Sequence, residues 1–400
     1  MSDNAAAGHP HSPESGALRA TLAGLCASLV GLGLARFAYT PLLPAIVNAH
    51  WFDAANAAYL GAANLAGYLV GALLAAPMSA RASAPKVLRA MMLLTTIALF
   101  ACAWPVDFLW FFAWRFLAGV SGGALMVLAA TTVLPHVAPS RRGLASGAIF
   151  MGVGLGIAAS GSLVPLLLRQ GLMQTWIGLG TLSLALTALA WSAWPTNGAP
   201  QATSHHHVSH ELPFNALRAV YVEYALNAIG LVPHMIFLVD FVARGLHQGL
   251  AAGAAYWVVF GIGAVFGPIV GGLLADRAGF KVALRVALIV QALAVLAPAL
   301  GLAGPWLIVS SIAMGAATPG IVGIVLGRLH EVLAHHPAAQ KGAWSKATTG
   351  FAVAQAGSAY GMSYLLVHSG GNYALLFALG SAAIVLALAV DLVSGRTARD

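Results

Sequence analysis

Long apolar runs dominate the chain, separated by short stretches of polar residues, glycine and proline. The runs fall near 18–46, 55–78, 86–104, 107–134, 143–168, 174–194, 217–243, 250–275, 281–300, 304–329, 347–368 and 372–393. A hydrocarbon core of about 30 Å is crossed by about 20 helical residues, so each run has the length of a bilayer span. The pattern predicts an all-α polytopic membrane protein with twelve transmembrane helices.

One polar interruption is long. It runs from Thr196 to Asn215 and holds Pro200, His205, His206, His207, His210 and Pro213. It reads as a flexible cytoplasmic linker, 196–216, between an N-terminal six-helix half, 17–195, and a C-terminal six-helix half, 217–394. The ends, 1–16 and 395–400, read as cytoplasmic tails, the first of them disordered. Met1 to Gly16 carries no Lys or Arg and so lacks the basic start of a secretory signal. A repeat supports the division into halves: Val70-Gly71-Ala72-Leu73-Leu74-Ala75 recurs 200 positions later as Val270-Gly271-Gly272-Leu273-Leu274-Ala275, each copy followed by a basic loop.

Composition agrees with lipid as the main solvent. The chain is 60% hydrophobic and 8% charged, whereas soluble domains are about half apolar and about a quarter charged. Cys26 and Cys102 fall at opposite ends of their spans, too far apart in depth for a disulfide, and read as packing residues. The net charge of +8 would suit a nucleic-acid binder, but its distribution excludes that reading. With loops assigned alternately from a cytoplasmic N-terminus, fifteen of the nineteen Lys and Arg fall inside, Arg169 and Arg244 outside, and Arg36 and Arg115 within helices. Retention of cationic loops in the cytoplasm gives this asymmetry, so both termini are expected there, in a bacterial plasma (inner) membrane.

Two motifs carry a family resemblance. Gly272-Leu273-Leu274-Ala275-Asp276-Arg277-Ala278-Gly279-Phe280-Lys281 resembles the loop signature of the major facilitator superfamily, G-x-x-x-D-R-x-G-R-K. Phe280 replaces a usual basic residue, and the first-half copy has Ala76 and Pro77 where Asp and Arg would stand, so a one-sided latch is expected. Arg115-Phe116-Leu117-Ala118-Gly119-Val120-Ser121-Gly122-Gly123 is similar to the superfamily's R-x-x-x-G-x-x-G motif. Gly152 to Gly161 departs from the antiporter motif at Ile157 and Ser160, and antiport is not inferred. Gly33-Leu34-Ala35-Arg36-Phe37-Ala38-Tyr39-Thr40-Pro41-Leu42-Leu43-Pro44 with Pro319-Gly320-Ile321-Val322-Gly323 resembles the YbfB/YjiJ-type branch. The resemblance implies a transporter with an interhelical cavity and names no substrate. It also implies a cytoplasmic gate at Asp276, Arg277 and Lys281, in which carboxylate and guanidinium pair across neighbouring helix ends.

Ionisable side chains inside a membrane are costly, roughly 2.5–3.5 kcal/mol at mid-depth on insertion scales, and therefore point to cavities or partners. Arg36 lies 17 residues beyond Arg19, roughly 25 Å along a helix, and reads either as a cavity cation for an anionic substrate or as an interhelical packing residue. Arg115 serves proton coupling or ties helices together. The seventh run carries Tyr221, Glu223, Tyr224, Asn227, His234 and Asp240, with Glu223, Asn227 and His234 on one stripe expected to line the cavity. Glu223, His234 and Asp240 are the proton-coupling candidates, weighed against a solvated helix end, a hydrogen-bonded core histidine and a rim charge respectively. Tyr39, Gln355 and Tyr360 join Arg36, Asn227 and His234 as cavity candidates, although Tyr near span ends is also a common interfacial anchor.

The function expected is secondary active transport of a small molecule by alternating access, driven by protons, in a monomer without cofactor. A ligand sensor would normally need a soluble output domain. A membrane-embedded enzyme is disfavoured because motifs such as His-Glu-x-x-His are absent, and so is a P-loop for ATP. The linker histidines lack a Cys or carboxylate companion, and a metal site is not expected there.

Overall fold

The structure, a computed structural model, describes residues 13–195 and 212–394. The linker histidines and both tails up to residue 12 and from residue 395 lie outside the described residues. All regular structure among the described residues is helical: α1 (Ser15–Leu43), α2 (Ala54–Arg81), α3 (Ala84–Ala101), α4 (Phe108–Val133), α5 (Arg142–Leu168), α6 (Leu172–Ala190), α7 (Phe214–Gly245), α8 (Gly249–Ala278), α9 (Phe280–Ala299), α10 (Pro305–Val332), α11 (Pro337–His368) and α12 (Tyr373–Ser394). Helical structure already starts at Pro13, inside the stretch read as a tail.

Eleven of these are long and apolar enough to cross a membrane. The exception, α11, has the length, but Lys341, Ser345, Lys346, Thr348, Thr349, Gln355 and Ser358 dilute its apolar character. Much of that polar load is buried against other helices.

Helix starts are set by local chemistry. Asp53 and Asp107 accept the backbone N–H of Asn56 and Trp110, both at 2.7 Å, capping α2 and α4. Pro305 and Pro337 open α10 and α11, where a missing N–H costs nothing. The reversal between α8 and α9 passes through Gly279 at φ +84, a backbone state that glycine adopts without penalty. This is the glycine of the loop signature.

Both halves use the same packing device. A Cβ on Gly119 or Gly123 of α4 would strike the backbone of Asn64 or Tyr68 on α2, and one on Gly315 of α10 would strike that of Phe260 on α8. Helices approach this closely only where side chains are absent. The repeat thus extends from sequence into packing. Its offset of 200 also relates Leu29–Phe37 in α1 to the region of Pro233–Phe237 in α7, and both segments are π-helical. Such wide turns re-aim side chains and are frequent at functional positions.

The halves meet along two seams. In one, α5 lies on α8, with Gly143 against Gly272, Gly147 against Pro268 and Gly154 against Ala264. In the other, α2 faces α11: Lys341 Nζ donates to Ser79 Oγ at 2.6 Å, and Ser345 Oγ donates to the Ala72 carbonyl at 3.1 Å. Trp344 Nε1 adds a bond to the Met126 carbonyl of α4. Apart from the mid-helix contact of Gly154 with Ala264, these contacts lie toward the end carrying Arg81, Lys86, Arg141, Arg142, Arg277 and Lys281, hereafter the basic end.

Candidate functional site

The wide turn of α1 carries Arg36 to the boundary between the halves. Its Nη2 donates to Gln355 Oε1 on α11 at 2.6 Å, and its guanidinium lies 5.6 Å from the Tyr68 ring of α2 and 5.4 Å from that of Phe37. Gln355 also donates from Nε2 to the Met235 sulfur of α7, 3.4 Å away. Arg36 is only half-buried, and no carboxylate of the described residues pairs with it. Four helices from two halves therefore converge on a cation held by a neutral amide and aromatic faces. A neutral amide leaves the positive charge uncompensated, so the site is suited to an anionic ligand group.

Two further sequence candidates come together, but within the N-terminal half. Arg115 on α4 is 2% exposed, and its guanidinium lies 4.2 Å from the centre of the Tyr39 ring. Arg115 Nη1 donates to the Ala35 carbonyl at 2.6 Å, one residue before Arg36, and Tyr39 Oη donates to the Ala57 carbonyl at 2.7 Å. Arg115 thus ties α4 to α1 directly behind the turn that presents Arg36. Its Nε has no hydrogen-bond partner.

The stripe on α7 faces inward to its own half. Asn227 donates to Gln291 Oε1 of α9 at 2.5 Å. His234, fully buried, lies 2.9 Å from Ser310 Oγ of α10, which in turn donates to the Ala294 carbonyl. Phe377 packs edge-on against the imidazole. Neither residue is brought to Arg36. Glu223 is buried rather than solvated, has no hydrogen-bond partner among the described residues, and sits in the field of Asp391, Arg328, Lys281 and Arg285. Asp240 pairs with Arg244 one turn on and accepts from Tyr373 Oη of α12 at 2.6 Å, joining the far end of α7 to the start of α12. Tyr360 is 58% exposed and away from this convergence.

At the basic end, Asp276 does not pair with a guanidinium. Its two carboxylate oxygens accept the backbone N–H of Gly143 and Leu144, each at 3.1 Å, at the start of α5. Unsatisfied amides and the positive end of the helix dipole make that terminus a natural seat for a carboxylate. Arg277 is exposed and Lys281 half-exposed, and neither forms a salt bridge among the described residues. Where the first half lacks Asp and Arg, Lys341 and Ser79 bridge α2 and α11 at the same end.

Sequence reasoning passed over three contributors. Tyr68 and Met235 carry no charge to draw attention. Asp391, which pairs with Arg285, was legible as an acid inside the apolar run of α12. Among the described residues, no group of three or more His, Cys, Asp or Glu is placed to hold a metal ion.

Residues 28–392 match the family described as "Uncharacterised MFS-type transporter YbfB". No curated protein matches the chain. Among solved structures, the human organic anion transporter MFSD10 (TETRAN) is similar with a TM-score of 0.73 at 15% identity, covering 95% of this chain and 100% of that one. A bacterial homologue of the iron transporter ferroportin in an outward-facing state gives 0.65 at 13% identity, covering 94% and 99%. The proton:xylose symporter XylE bound to 6-bromo-6-deoxy-D-glucose gives 0.73 at 15% identity, covering 94% and 95%. At these identities the likeness is one of fold.

Proposed function

The chain belongs to the YbfB-type family of major facilitator superfamily transporters, and from that premise we propose that it is a secondary active transporter of a small anionic solute, working by alternating access. The observation that carries this reading is the bond from Arg36 to Gln355, which places an uncompensated cation where the two halves converge. A ligand carboxylate or phosphate that takes a charge-assisted pair from Arg36 and accepts from Gln355 Nε2 engages both halves at once.

The proposal includes twelve spans, with α11 as the one too polar to be recognised by hydropathy, both termini in the cytoplasm and the basic end facing it. The excess of Lys and Arg at that end supports the orientation, in a bacterial inner membrane. The limits take in helix already present from Pro13 and from Phe214: tails at 1–12 and 395–400, halves at 13–195 and 214–394, and a linker at 196–213. It further takes the protein to act as a monomer and without enzymatic activity. Proton coupling is assigned to Glu223, a buried carboxylate without a hydrogen-bond partner among the described residues, whose net charge is felt by Asp391 and Arg285. Asn227 and His234 are given a packing role, and Arg115 the positioning of α1.

The test is thermal stabilisation of purified protein by a panel of organic anions, amino acids, sugars and amphipathic drugs, repeated on Arg36→Ala. Each stabilising compound is then followed for uptake into proteoliposomes with and without a pH gradient. Anions that stabilise and enter with the wild type but not with the variant support the proposal. Stabilisation by uncharged solutes alone, equal in both proteins, refutes the anionic assignment, and binding without uptake refutes transport.

A further inference from the structure

A cavity lined by both apolar and polar side chains lies at the basic end, between the halves rather than within either. It has a volume of about 220 Å³ and is walled by Arg142 and Ser146 of α5 on one side and by Phe280, Gly323, Gly327 and His330 on the other. Gly323 and Gly327, one turn apart on α10, supply the space: the Phe280 ring lies against Gly327, and Ser146 Oγ points at Gly323.

The cavity's polar groups are poorly engaged. Ser146 is 3% exposed, and its hydroxyl has no hydrogen-bond partner. A buried hydroxyl left without a partner is costly, so a ligand atom that satisfies it has a built-in advantage. Arg142 uses only Nε, donating to the Val137 carbonyl at 3.3 Å, and pairs with no carboxylate among the described residues. The one acid on the wall, Glu331, is already occupied: Oε1 accepts the Phe280 N–H at 3.1 Å and Oε2 accepts Arg328 Nη1 at 3.0 Å. The Glu331 charge is thus offset locally, whereas that of Arg142 is not. A cavity with one free guanidinium, one orphan hydroxyl and one imidazole favours a small ligand rich in oxygen acceptors and negatively charged.

We propose that this cavity binds a small multivalent oxyanion, held by Arg142 and Ser146 of α5 and by His330 of α10, and that its occupancy keeps the basic end closed. Closure follows from the geometry, since the walls belong to different halves and the site exists only while α5 and α10 are together. A ligand that binds one arrangement and not the other shifts the population toward it. The binding site stands without the transport reading; the coupling to closure rests on it.

The experiment titrates wild type, Arg142→Gln, Ser146→Ala and Arg36→Ala with citrate and with inorganic phosphate against chloride at equal ionic strength, reading thermal stability. In parallel, spin labels at Arg81→Cys and Ala334→Cys, one in each half at this end, report its width on a background in which Cys26 and Cys102 are replaced by Ala. The proposal expects stabilisation of the wild type with narrowing of the label distance. It expects affinity about tenfold or more weaker in Arg142→Gln, as for loss of a hydrogen bond to a charged group. Ser146→Ala should weaken binding less, and Arg36→Ala should retain it. If Arg142→Gln does not fold, Ser146→Val removes the hydroxyl and fills the cavity, and loss of binding is expected there too. Binding that survives in Arg142→Gln, or no stabilisation beyond chloride, overturns the proposal. Binding lost in Arg36→Ala but kept in Arg142→Gln also overturns it, by assigning the anion to the central site, and leaves the transport reading supported.

Discussion

Arg36 Nη2 on α1 donates to Gln355 Oε1 on α11 across 2.6 Å and 319 residues of sequence. Because α1 and α11 belong to different halves, this bond breaks or is replaced whenever the halves move apart at that level. Gln355→Leu removes the acceptor and leaves the cation. The expected outcome is a stability loss of about 1 kcal/mol or less, typical of polar pairs between membrane helices, with anion-dependent stabilisation retained. Arg36→Ala is expected to abolish stabilisation by the transported anion, while stabilisation by citrate or phosphate at the basic end persists. Thermal melts of both variants with and without an anionic ligand check the pair.

The bonds that Asp276 accepts from the Gly143 and Leu144 N–H groups hold the α5–α8 seam. Asp276→Asn keeps the shape but loses the charge that favours a helix start, an interaction worth about 0.3–1 kcal/mol. The fraction of molecules open at the basic end is expected to rise by roughly two- to fivefold, by the same relation between energy and population. Gly143→Ala should act more strongly, because a Cβ there would meet the Asp276 carboxylate and the Gly272 carbonyl. Distance distributions between labels at residues 81 and 334 measure both effects.

Arg115 is expected to be structural where Arg36 is functional. Its planar guanidinium lies over Tyr39 and reaches the Ala35 carbonyl at once, which the single ammonium of Lys cannot reproduce. Arg115→Lys should therefore lower stability by about 2 kcal/mol, the size of a desolvated cation–π contact. Melting in detergent, compared with Arg36→Lys, separates the two arginines: an equal loss in both would remove the distinction.

Asn227 donates to Gln291 Oε1 inside the C-terminal half, and Gln291 Nε2 is left buried without a partner among the described residues. Asn227→Leu or Gln291→Leu alone strands a buried amide and should cost about 1–3 kcal/mol, whereas the double substitution should cost less than either single one. Anion-dependent stabilisation is expected to persist in all three. A double-mutant cycle gives the coupling, and loss of the ligand response in the singles would return this pair to the cavity.

The α7 stripe illustrates what sequence reasoning reaches. Glu223, Asn227 and His234 do share a face, as helical spacing requires, yet that face meets α9 and α10 of the same half rather than the partner half. Periodicity fixes which residues point together; it carries no information on which neighbour they meet. Eleven spans were legible because lipid permits few polar residues, and α11 was drawn as a span although its buried polar side chains dilute the signal. Arg36 announced itself as an intramembrane charge, but its partner Gln355 has no local mark. The carboxylate of Asp276 is visible in the sequence, whereas the donors it accepts from, two backbone N–H groups of α5, leave no trace in side-chain chemistry.

The central claim is that the two halves open one end as they close the other. Labels at Arg81→Cys and Ala334→Cys report the basic end, and labels at the exposed Val106→Cys and Gln248→Cys report the opposite end. Measured as the pH and a stabilising ligand are varied in reconstituted protein, the two distances should change in opposite senses, the basic-end pair lengthening as the other shortens. Two distances that stay fixed, or that lengthen and shorten together, would contradict the account.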